Sequence, residues 1–131
     1  MSLPPIPAGP LELELPTVPT SVGKARHAVA EFCAGRELDR EGVAIAVSEA
    51  VSNAVLHAHP DGAEGHVRIF ASLDDASLLI VVSDDGQGIT PRSDRPGMGV
   101  GLALIAQLTS SLEIDCDGTG TRLAMRFVRR A

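Results

Sequence analysis

Tryptophan and tyrosine are absent from the 131 residues, and phenylalanine occurs only three times. Aromatic stacking platforms and aromatic cages are thereby excluded as the working surface. Cysteine is nearly absent too: Cys33 and Cys116 stand far apart, outside any Cys-x-x-Cys or Cys/His cluster. A reduced pair in apolar surroundings is expected rather than a disulfide or a metal site. Basic residues are few, eleven Lys and Arg against seventeen Asp and Glu, so the net charge is −6. That sign is wrong for gathering phosphates, and no direct nucleic-acid partner is expected. No apolar run approaches the ~20 residues of a membrane span, and the first residues lack the basic-then-apolar order of a secretory leader. The expectation is a cytoplasmic chain with no membrane partner.

What is present suits one globular domain, with 44% hydrophobic and 21% charged residues. Residues 1–10 carry four prolines and a glycine and read as a flexible tail, leaving 11–131 as the domain. Leu11–Leu15 alternates with period two and predicts a strand ended by Pro16 and Pro19. Thr20 or Ser21 is the expected cap of a helix using Val22, Ala25, Val29, Ala30 and Phe32 and ending near Gly35. Asp39 caps a second helix running to about His57, with Val43, Ala46, Val47, Ala50 and Ala54 as its apolar stripe. Ile45 and Leu56 fall away from that stripe and offer extra contacts. Val67–Ala71 and Leu78–Val82 predict a hairpin turning at Asp74–Ser77. A glycine-rich stretch from Asp84 to Gly101 precedes a helix opening at Leu102. Leu112–Asp115 and Thr121–Val128 close the chain as two strands around Asp117–Gly120. The fold class is α+β, a two-layer sandwich of a mixed, mostly antiparallel sheet with helices on one face.

Four groups of residues carry chemistry. Glu49, Asn53 and His57 recur at i, i+4 and i+8 on the second helix and flank its apolar stripe. An Asn carbonyl can complete the oxygen shell of Mg²⁺, a Glu one turn away can take a proton from an attacking hydroxyl, and a His can donate to phosphate. A solvated helix face gives the same spacing. Asp84-Asp-Gly-Gln-Gly88 follows a strand, where a carboxylate can accept from an exocyclic amine and glycines let the backbone approach a flat ligand; adenine fits, as does a plain turn. Gly97-Met-Gly-Val-Gly101 ahead of an apolar helix can cradle an anion on free N–H groups, or be a flexible loop. Its spacing is neither the dinucleotide fingerprint nor a P-loop. Gly118-Thr-Gly-Thr121 can set a hydroxyl beside Asp84, or simply turn a hairpin.

In this order and spacing the four groups resemble the GHKL ATPase superfamily over residues 11–128. Ser48-Glu-Ala-Val-Ser-Asn-Ala-Val-Leu-His57 is similar to the corresponding helix of the anti-sigma-factor serine/threonine kinases. The resemblance implies ATP and Mg²⁺ as cofactors. It implies Glu49 as the catalytic base, Asn53 as metal ligand and cofactor contact, and His57 as a phosphate contact. Asp84 would bind the adenine amine, with Gly86 and Gly88 shaping that pocket and Thr121 supporting it. Gly97, Met98, Gly99, Val100, Gly101 and Leu102 would wrap the phosphates. The stretch Ile89–Pro96 is short for a lid over ATP, and within it Arg92 and Arg95 are placed to lean over the triphosphate or to meet a partner. The implied function is a protein kinase that phosphorylates an anti-anti-sigma factor of STAS type, sequesters a sigma factor and forms a homodimer. The alternative is an ATP-binding module that regulates partners without phosphotransfer.

Overall fold

The computed structural model describes residues 9–57, 65–85, 98–117 and 120–129. Their order is β1 (Leu11–Pro16), α1 (Thr20–Cys33), α2 (Arg40–His57), β2 (His66–Leu73), β3 (Ser77–Asp84), α3 (Met98–Leu108), β4 (Ser111–Asp117) and β5 (Gly120–Val128). The strands form one sheet in the order β1-β2-β3-β5-β4, and every described pairing is antiparallel. One face carries the core. Val67, Ile69 and Ala71 of β2, Leu78, Ile80 and Val82 of β3, and Leu123, Met125 and Phe127 of β5 are buried there. Their period of two turns the intervening residues to the open face, where Arg68 pairs with Glu14 at 3.3 Å.

α2 lies over β2 and β3 and touches both other helices, so it is the centre of the helical layer. Its stripe Val43, Ala46, Val47, Ala50 and Ala54 is buried as the spacing predicts, and Ile45 and Leu56 remain 39% and 68% exposed. Asp39 caps it, accepting the Gly42 N–H at 3.1 Å. The first helix starts differently from expectation. Pro19 occupies its N-cap position with no side-chain cap, and the buried Ser21 hydroxyl instead donates to the Pro16 carbonyl at 2.6 Å. Tertiary burial thus claims the hydroxyl that a helix end would have used. Gly35, at φ +77°, follows the end of α1 in the left-handed conformation that a side chain would disfavour.

α3 also begins earlier than expected, at Met98 rather than Leu102. The last four residues of the glycine-rich segment, Met98–Gly101, are therefore helical, because contact with α2 overrides the poor intrinsic propensity of glycine. The cysteines form no disulfide and differ from each other, Cys33 buried and Cys116 exposed on the edge strand β4 rather than in apolar surroundings. Burial pushes the Cys33 thiol up, against the opposing pull of Arg36 and Arg40. Among the described residues no helix is long and apolar enough to cross a membrane.

Candidate functional site

Two ends of the sequence motif meet where α3 crosses α2. Glu49 and Asn53 stand one helical turn apart, Glu49 half-buried and Asn53 only 5% exposed. The Asn53 Nδ2 makes no hydrogen bond to any described residue. A buried amide left unpaired costs about 1–3 kcal/mol, so the arrangement is unfavourable for the empty protein and asks for a polar occupant. Gly101, in the first turns of α3, faces the same pair. A Cβ at Gly101 would lie 3.1 Å from Glu49 Oε2 and 3.5 Å from both Asn53 Oδ1 and Nδ2. The missing side chain leaves open the gap between the carboxylate, the amide and the N-terminal part of a helix, where positive partial charge collects.

The second half of the site lies at the end of the sheet. Asp84 is the last residue of β3, in register with Val67 on β2 and Thr121 on β5. Two residues after Val82 and four after Ile80, it falls on the helix-covered face, and Thr121 shares that face at 3% exposure. A carboxylate and a hydroxyl on neighbouring strands thus sit side by side, as a single amine donor requires. Gly120 makes the junction possible. Its φ is +153°, and a Cβ there would collide with the Asp84 carbonyl. Asp85, just beyond the ladder, accepts the His66 backbone N–H through Oδ1 at 3.0 Å. In the sequence Asp85 and Gly120 lie inside two of the four motifs without a role of their own; only the close approach of β5 to β3 and the bond to His66 distinguish them.

Among the expected site residues, Glu49, Asn53 and Gly101 are brought together, and Asp84 with Thr121. Leu102 is half-buried against the core on the same helix as Gly101. His57 ends α2, and Met98, Gly99 and Val100 form the start of α3, with their side chains outside the described set. Gly86, Gly88, Arg92, Arg95 and Gly97 lie outside the described residues. A groove that the motif did not announce runs between α1 and α2, with a volume of about 300 Å³ and lined by Arg26, Glu41, Ala44, Ile45, Ser48 and Glu49. It reaches Glu49 from the outside of the helical layer, and within it the buried Ser48 hydroxyl has no partner among the described residues.

Residues 15–127 match the family described as the histidine kinase-like ATPase domain. The chain belongs to this family. Within this GHKL-type family it stands with the anti-sigma factors. It is similar to the anti-sigma F factor of Clostridium beijerinckii, 32% identical over 117 residues that cover 78% of this chain and 82% of that protein. The anti-sigma F factor of Bacillus subtilis is 29% identical over 132 residues, covering 86% of this chain and 89% of that one. Among solved structures, the RsbU and RsbW domains of Rv1364c from Mycobacterium tuberculosis superpose with a TM-score of 0.74 at 27% identity. That match covers 95% of this chain and 34% of the longer protein. Membership of the ATPase-type family carries nucleotide binding with it.

Proposed function

We propose that the chain is an anti-sigma-factor kinase that binds Mg-ATP, phosphorylates a Ser or Thr of a STAS-type anti-anti-sigma factor and sequesters a sigma factor. The observation that carries the proposal is the meeting of Glu49, Asn53 and the open Gly101 position. The unpartnered buried amide of Asn53 fits a role in holding Mg²⁺ and the phosphates through its neutral oxygen. Mg²⁺, when bound, offsets phosphate charge and helps to align the triphosphate.

The residues of the chain then divide the work. Asp84, beside Thr121, accepts from the adenine amine and fixes the base. The N-terminal part of α3 presents N–H groups towards the phosphates. The acceptor hydroxyl enters along the groove between α1 and α2, and its oxygen attacks the γ-phosphorus while the bond to the β–γ bridging oxygen breaks and ADP leaves. Glu49 takes the hydroxyl proton. His57, Gly86, Gly88, Arg92, Arg95, Gly97, Met98, Gly99 and Val100 complete the nucleotide contacts in this reading. Exposed Ile45 and Leu56 support a protein contact on α2, including a homodimer. The acceptor and the site both belong to the cytoplasm.

Incubation with [γ-³²P]ATP, Mg²⁺ and an anti-anti-sigma factor tests the reading. Wild type should label the acceptor, and Glu49→Ala should abolish labelling while binding ATP with nearly unchanged affinity. Labelling by Glu49→Ala at the wild-type rate would remove Glu49 as base. ATP binding without labelling by the wild type would favour the regulatory module, which the short Ile89–Pro96 stretch supports.

A further inference from the structure

We propose that Asp85 is a positioning residue that sets the base selectivity of the site, by fixing the carboxylate of its neighbour Asp84. The inference rests on the reading of Asp84 as the adenine contact. Backbone pairing between β2 and β3 ends at Val67 and Asp84, so Asp84 sits at the last rung, where a ladder frays most easily. The Asp85 side chain extends the pairing by one further rung. Its Oδ1 accepts the His66 N–H at 3.0 Å, and its Oδ2 lies 3.5 Å from the His66 Nδ1. On the other side, Gly120 of β5 rests against the Asp84 carbonyl, and its missing Cβ would stand 3.4 Å from the Asp85 Cα. The backbone at 84–85 is thus gripped from both neighbouring strands, by a side chain on one side and by the lack of one on the other.

The consequence is chemical. Adenine offers an amine where guanine offers a carbonyl oxygen, so a carboxylate held at one point accepts from the first and repels the second. A carboxylate free to swing aside loses the first bond and relieves the second repulsion. Release of the β2 side of the grip therefore lowers ATP affinity and narrows the gap to GTP. General loss of the fold would weaken both nucleotides alike. A neutral amide can replace the grip, because the oxygen of Asn at 85 still accepts the His66 N–H.

Calorimetric titration with ATP and with GTP, on wild type, Asp85→Ala, Asp85→Asn and Asp84→Asn, decides the matter, with thermal unfolding run alongside. Asp85→Ala should weaken ATP about tenfold, the equivalent of one lost positioned hydrogen bond, and leave GTP no weaker. Asp85→Asn should restore ATP to within about threefold of wild type. Wild-type affinity and selectivity in Asp85→Ala would overturn the proposal, as would equal loss of both nucleotides or failure of Asp85→Asn to recover. If wild type binds no ATP, or Asp84→Asn binds it unchanged, the reading of Asp84 falls and the proposal with it. Retained wild-type binding that Asp84→Asn loses and Asp85→Ala keeps would sink the positioning role alone.

Discussion

Asn53 is a side chain whose burial costs the empty fold, a cost that its proposed contact with Mg-ATP would offset. Its amide is buried, with a donor that meets no partner among the described residues, on a helix whose other inward residues are apolar. Asn53→Leu, close in volume, should raise the unfolding free energy of the nucleotide-free protein by about 1 kcal/mol, read from the urea midpoint. The same variant should bind no Mg-ATP by calorimetry. Gly101 makes the complementary case. Gly101→Ala should leave thermal stability equal or higher by up to ~1 kcal/mol, since helix propensity improves and the tightest neighbour is the movable end of Glu49. Phosphotransfer should nevertheless fall at least tenfold, because the methyl displaces Glu49 and covers Asn53. A kinase assay beside a melting curve separates the two effects.

At the scale of elements, the hairpin between β2 and β3 depends on one carboxylate. Asp74 Oδ1 accepts the N–H of Ala76 at 2.8 Å and of Ser77 at 2.7 Å, and these bonds hold its carboxyl below the ordinary carboxylate range. Because the folded value is the lower one, the stabilisation is fully present above the usual range and is lost as pH falls through the folded value. Asp74→Ala should therefore unfold at a lower temperature than wild type at neutral pH. The difference should shrink in strong acid, as followed by circular dichroism from pH 7 to about pH 2.

Elements were legible in the sequence wherever period and punctuation agreed. The apolar runs 67–71 and 78–82 marked a hairpin, the alternation in 121–128 a strand, and Asp39 its own helix. The start of α1 was not legible, since Ser21 bonds to Pro16 through a contact that no local pattern encodes. Nor was the start of α3, where glycines argued for a loop and only the surface of α2 makes a helix favourable. At the site, the spacing showed Glu49 with Asn53, and strand ends showed Asp84. The approach of Gly101 to the first pair, and of Gly120 to the last, is tertiary and left no local signature.

Across the whole molecule, the nucleotide is expected to act as a bridge between layers, since Asn53 and Gly101 belong to helices and Asp84 with Thr121 to the sheet. A ligand that binds only the folded form stabilises it by mass action. ATP with Mg²⁺ at a hundred times its Kd should add about 2.7 kcal/mol, which raises the melting temperature of a domain of this size by about 10 °C. Asp84→Asn should lose that shift at the same ATP concentration, which differential scanning calorimetry would read directly.

The strand order also sets a timetable. β5 lies inside the sheet between β3 and β4, yet among the described strands it comes last in chain order. Until Val128 has cleared the exit tunnel, β3 has one neighbour instead of two, and Leu78, Ile80 and Val82 lack the cover of Leu123 and Met125. Asp84 meanwhile lacks both Thr121 and Gly120. A nascent chain arrested before Gly120 should therefore neither be retained on immobilised ATP nor resist protease, whereas one released past Val128 should do both. Nucleotide loading becomes an event that follows synthesis of β5, and the half-built sheet is the stage at which a chaperone would have surface to recognise.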